Sequence, residues 1–200
     1  MKELAHRKRV EFSVATSAFG LREVRAIYRR EGIRIDARRL PAAVKAVYMC
    51  DNDDLSVAIQ EGLPKEPRIF ALVHELKHHW TDREAIRSGE LMCGDYNQNE
   101  VIEKGAEVFA AEFIYPEDEF SADIVRSGTS HWDVDAVVRF KRDFCQARVS
   151  YTYIRKRLER LGLIERGQFV GVKFQKREEQ LHGVPFYKQP WYREYRRRGH

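Results

Sequence analysis

The sequence predicts an α+β fold: a small mixed or antiparallel sheet beside a mainly helical core, followed by a helix-turn-helix-like segment. Three observations lead there. Two short apolar runs lie back to back around an acidic turn between Ala43 and Gln60. From Arg68 to Ile114, apolar residues return at the three-and-four spacing of helices. Two shorter helical patterns, separated by a turn, then occupy Val134 to Ile164.

Leu21, Val24, Ile27 and Tyr28 share one helical face, so Leu21 to Arg30 is expected as a helix that ends at Gly32. After Pro41, Ala43 to Met49 reads as a strand, Asp51-Asn52-Asp53-Asp54 as a turn, and Leu55 to Gln60 as a second strand. The acidic turn lacks the glycine and the distal glutamate of a calcium loop. Pro64 and Pro67 bracket a short loop, and Ile69, Leu72, Val73, Leu76 and Trp80 mark a helix from Arg68 to Trp80. Ser88 to Asn99 is polar and glycine-containing, a connection. A helix from Glu100 to Ile114 is stopped by Pro116, and residues 117–133 read as a further helix and a loop.

Val134, Val137, Val138 and Phe140 define the next helix. Val149-Ser150 supplies a turn and N-cap, and Tyr153, Ile154, Leu158 and Leu161 define a helix ending at Gly162. Gln168 to Phe174 is expected as a strand, ahead of an aromatic and basic tail that includes Trp191, Tyr192 and Tyr195. The expected division is 1–133, 134–166 and 167–200.

Composition excludes several classes. The chain is 43% hydrophobic and 34% charged, too apolar for wholesale disorder. No apolar run approaches the roughly 20 residues of a membrane helix. Residues 1–9 lack the apolar stretch of a secretory signal. Cys50, Cys93 and Cys145 are odd in number and widely spaced, which suits reduced thiols and makes the cytoplasm the expected compartment. The net charge of +5 is uneven: residues 134–200 hold 17 Lys and Arg against 7 Asp and Glu, a net of +10, which leaves −5 for residues 1–133. An acidic front and a basic back suggest separate tasks, although solubility alone explains many such surfaces.

The chemistry concentrates at His74-Glu75-Leu76-Lys77-His78, an H-E-x-x-H run inside a helical pattern. Histidines at i and i+4 share a face, so both imidazoles reach one ion, and the intervening glutamate can deprotonate a water beside it. A catalytic zinc site needs a third protein ligand. Glu103 lies 25 residues after His78 on the next helix and Glu107 four residues further. Either satisfies the ligand count; Glu100, Glu112 and the softer Cys93 are further alternatives. With Glu103 as ligand, Glu107 falls where a carboxylate commonly orients a ligand histidine. His79 and His131 lack such spacing and read as solvent-facing or core-edge residues. Tyr96, Tyr115 and His131 are the candidates for oxyanion stabilisation.

Phe70-Ala71-Leu72-Val73-His74-Glu75-Leu76-Lys77-His78-His79 resembles the F-x-L-x-H-E-L-x-H segment of the ImmA/IrrE-type metallo-endopeptidases. Glu103 to Pro116 is similar to that family's E-x-x-A-[ND]-x-F-A-x-x-L-L-x-P, and Arg157 to Ile164 to its R-L-x-x-L-G-L-I. The likeness spans roughly Leu21 to Ile164. It implies a zincin-like core, with Zn2+ held by His74, His78 and Glu103, and Glu75 as the catalytic base. Residues 1–133 would then be the peptidase domain. Glu107 departs from the pattern, where Asn or Asp is usual. Members cleave helix-turn-helix repressors, which makes such a transcriptional regulator the implied partner. The competing reading is a metal-stabilised binding module without proteolysis. It would contact DNA or a regulator through the basic C-terminal half, where Arg155, Lys156, Arg157 and Arg160 could meet phosphates.

Overall fold

The computed structural model describes residues 1–51, 54–90, 100–185 and 188–189. The expectations for Asn52, Asp53, Cys93, Tyr96 and the aromatic-basic tail lie outside the described residues. Among the described residues the architecture is mixed α and β, mostly helical, with one three-stranded sheet. The chain divides into two compact units, Met1–Ala122 with Gln146–Ser150, and Asp123–Cys145 with Tyr151–His200.

In the first unit, α1 (Lys2–Glu11) and α2 (Leu21–Arg30) precede β1 (Arg34–Arg38), β2 (Ala46–Asp51) and β3 (Asp54–Gln60). β3 lies in the middle, parallel to β1 and antiparallel to β2, with Tyr48 opposite Val57. Leu55 through Ile59 are all buried, as a strand covered on both faces requires. The 17-residue α3 (Lys65–Thr81) packs on β2, β3 and α2. It buries Ile69, Leu72, Val73 and Leu76, each worth about 1.5–3 kcal/mol of transfer free energy. After the short α4 (Arg83–Arg87), α5 (Glu100–Ile114) packs against α3 on one side and α1 on another.

Several elements differ from the sequence expectation, each for a local reason. α3 starts at Lys65, before Pro67, because a first-turn proline forfeits only an N–H that has no helical partner. β2 starts at Ala46 because Val44 N–H turns back to the Pro41 carbonyl at 2.9 Å. α1 and β1 carry no clear pattern. α1 buries only Ala5 and Arg9, and is anchored by Arg9, which donates to the Phe113 carbonyl at the end of α5 (2.7 Å) and to Thr16 Oγ1 (2.9 Å). β1 is a charged edge strand with no fully buried residue.

α6 (Glu117–Ser127) leads into the second unit, which holds α7 (Val134–Arg139), a π-helical turn at Phe140–Phe144, α8 (Tyr151–Arg160) and α9 (Phe174–His182). Asp133 caps α7 by accepting from Ala136 N–H at 2.7 Å. The expected strand at Gln168–Phe174 is not formed: Gly167 and Gly171 both adopt positive φ in a run of turns, and Phe174 opens α9. Phe169 and Phe174 are instead buried edge-on against each other, with Phe174 stacked on Tyr151.

Candidate metal centre

His74 and His78 lie one turn apart on α3, and Glu103 comes from the first turn of α5, which packs across it. One ligand-type atom from each falls within 4.8 Å of the others. The two Nε2 atoms are 3.3 Å apart; Glu103 Oε2 is 2.9 Å from His74 Nε2 and Oε1 is 3.6 Å from His78 Nε2. Two imidazole nitrogens and a carboxylate oxygen aimed at one point form a donor set for a divalent transition metal. His78 Nδ1 donates to Asp82 Oδ2 at 2.7 Å, so in its neutral form the lone pair sits on Nε2, facing that point.

Burial alone would raise the Glu103 carboxyl, but its hydrogen bonds to His74 and His78 and their charge hold it well below the usual carboxylate range. Glu75 goes the other way. Burial raises its carboxyl, and the His74 and His78 charges and the Tyr48 N–H only partly offset this. Its Oε2 accepts from Tyr48 N–H at 2.9 Å, which ties the glutamate to the edge strand β2.

A cavity of about 220 Å³ opens beside these groups. Ala43, Val44, Ala46, Phe70 and Ala71 form its apolar wall, and His74, Glu75, Glu103, Glu107 and Lys45 its polar one. Glu107 lines the site's cavity, and a second carboxylate beside Glu103, that of Asp82 four residues beyond His78, is bonded to a site histidine. That spacing was available in the sequence as a shared helical face. Asp82 Oδ2 also takes the buried Lys77 ammonium at 2.6 Å, and with His78 this holds the carboxyl below its ordinary value although burial pushes upward.

The remaining candidates sit elsewhere. Glu112 is buried against His6 and the Glu117 N–H, and Glu100 pairs with Lys104 on the exposed side of α5. Tyr115 packs edge-on against Phe120, and His131 is an exposed residue of the second unit. His79 is a core-edge residue with two partners, Tyr48 Oη at 2.9 Å and Glu31 Oε2 at 3.2 Å. In α8, Arg155 pairs with Glu159 and Arg157 is buried beside Tyr153.

Comparison with known proteins gives a consistent picture. The model of the peptidase family M78, described as the IrrE N-terminal-like domain, matches residues 29–159. No curated protein matches the chain. A solved structure of a Mycobacterium tuberculosis transcriptional regulator is similar in fold, with a TM-score of 0.50 and 22% identity, over 79% of this chain and 46% of that one. This chain thus spans less than half the length of that regulator.

Proposed function

Because the chain belongs to the IrrE N-terminal-like peptidase family M78, we propose that it is a zinc-dependent endopeptidase with a zincin-like core of the H-E-x-x-H…E kind. The observation that supports this most is the convergence of His74, His78 and Glu103 beside the buried Glu75. In this reading those three residues hold Zn2+, which when bound polarises the scissile carbonyl and acidifies the attacking water. Asp82 keeps the His78 tautomer fixed. Glu75 takes the proton from the attacking water and delivers it to the leaving amine nitrogen. Its raised affinity for protons favours the first of these transfers. Val44 and Phe70 give the cavity an apolar wall beside the carboxylates.

The cavity is bordered by the edge of β2 that faces away from β3. Ala46 and Tyr48 are in non-hydrogen-bonded register with β3, so their amides and carbonyls point off the sheet, and Tyr48 N–H meets Glu75. The Ala46 groups are placed to pair with an extended substrate backbone. A helix-turn-helix transcriptional regulator in the cytoplasm is the proposed substrate, in keeping with the family. Residues 134–166 would form a helix-turn-helix-like segment distinct from the peptidase domain at 1–133, with the basic tail of 167–200 following. A DNA-binding role for α8 is the weaker reading, since Arg155 and Arg157 are engaged within the protein.

Elemental analysis of purified wild type, His74→Ala and Glu103→Ala tests the metal assignment. About one zinc per chain is expected in wild type and far less in both variants. Glu75→Gln should keep the zinc and lose cleavage of the regulator. Metal absent from wild type even after zinc is supplied would overturn the proposal.

A further inference from the structure

Glu75 and His79 are four residues apart, on one face of α3, and a single residue of β2 engages both. Tyr48 gives its backbone N–H to Glu75 Oε2 at 2.9 Å and its side-chain hydroxyl to His79 Nδ1 at 2.9 Å. His79 is held in turn by Glu31, the residue that caps the end of α2. Its Nε2 lies 3.2 Å from Glu31 Oε2, and the same oxygen accepts from Trp80 Nε1 at 3.0 Å. The carboxylate can only accept, so the imidazole proton sits on Nε2, Nδ1 is the acceptor, and the Tyr48 hydroxyl is the donor. All the proton positions in the chain agree. Tyr48, His79 and Glu75 are 1%, 7% and 5% exposed, so these bonds are sheltered from competing water.

We propose that Glu31, His79 and Tyr48 form a positioning relay that fixes the edge strand against α3, and so sets where the Glu75 carboxylate stands. The need for it follows from the topology. Among the described residues β2 is paired on one side only, to β3, and an edge strand lacks a second strand to hold its outer groups in place. The outward N–H of Tyr48 would otherwise move with the strand. The hydroxyl bond one helical turn further along α3 supplies a second fixed point. Glu75 needs an N–H at constant distance to present one oxygen to the strand and the other to substrate. The role of Glu75 as base rests on the peptidase reading; its placement by the relay does not.

The test uses the full chain loaded with zinc, with Tyr48→Phe and Glu31→Met as variants, both close in shape to the native side chains. Amide hydrogen exchange by NMR reads the relay without any substrate. Protection of the position-48 amide is expected to fall about tenfold in both variants, the size of one lost hydrogen bond. The neighbouring amides of Val47 and Met49, which pair inward to β3, should hold their protection. With fluorophore-labelled casein as substrate, kcat should fall by a similar factor, with KM and zinc content unchanged. Unaltered position-48 protection, or a common loss at positions 47, 48 and 49, would overturn the relay. An unaltered kcat in Tyr48→Phe would do the same. If wild type keeps no zinc even when it is supplied, the peptidase reading falls, while the amide exchange still decides the relay.

Discussion

Replacing Asp82 with Asn should weaken the protein and its metal site by separable amounts. Lys77 is 3% exposed, and its ammonium meets Asp82 Oδ2 at 2.6 Å and the Ile102 carbonyl at 3.3 Å. The amide leaves that buried charge with a carbonyl and a weak dipole. Removing one partner of a buried pair costs about 3–5 kcal/mol, and the partial exposure of Asp82 argues for about 3. With a urea m-value of about 2 kcal/mol/M, the unfolding midpoint of the metal-free variant falls by about 1.5 M. Circular dichroism during urea titration measures this. The double variant Lys77→Met/Asp82→Asn removes the stranded charge and should recover most of the stability. Zinc affinity should not recover, because His78 Nδ1 has lost its anionic acceptor; a loss of about 10- to 100-fold is expected in both variants by chelator competition. The reasoning is refuted if Asp82→Asn unfolds within about 0.5 kcal/mol of wild type and binds zinc equally well.

Further outcomes follow from other contacts. Asp82 and Glu103 both have carboxyls held below their ordinary values. Each therefore contributes stability that is present above the unfolded-state pKa and is lost as pH falls through the folded one. Metal-free wild type should lose stability below about pH 4, and Glu103→Gln should flatten that acid limb in urea titrations repeated across pH; equal slopes would count against it. Arg9→Met removes bonds to Phe113 O, Thr16 Oγ1 and Glu119 Oε1, and should cost about 2–3 kcal/mol. It should also expose α1 to limited proteolysis, whereas an unchanged digestion pattern would show that α1 is held by other contacts. Tyr28→Phe deletes the buried hydroxyl bond to the Leu72 carbonyl at 2.8 Å and should cost about 1 kcal/mol in the same urea assay.

The parts of the fold legible in the sequence are those whose local signals agree. α2 and α5 begin and end where expected because apolar spacing, Gly32 and Pro116 point the same way. α1 and β1 were illegible because tertiary contacts hold them: a buried arginine in one, parallel pairing to β3 in the other. At Gln168–Phe174 the alternation of apolar residues imitated a strand, and only the turn geometry of two glycines separates the cases. At the site, the spacing of His74 and His78 shows directly in the sequence, and Asp82 could have been found by the same helical arithmetic. Glu103 could be singled out from its neighbours only with a second motif, since its approach depends on how α5 crosses α3. Tyr48 had no signature at all. It meets Glu75 through a backbone N–H, which every residue but proline possesses.

β2, β3 and α3 form one unbroken stretch, residues 46–81, which contains Tyr48, His74, Glu75, His78 and His79. A hairpin followed at once by the helix that covers it has short loops to close, and short loops form early. Most of the site can thus be nucleated locally, while Glu103 and β1 join through longer-range docking. A φ-value series should show it: Val57→Ala and Leu72→Ala slowing folding, and Ile35→Val chiefly speeding unfolding. Slow folding in Ile35→Val instead would place the β1 pairing inside the nucleus. On this order the histidine pair exists before its carboxylate partner arrives, and closing the three-donor group is among the last steps by which the chain reaches its native form.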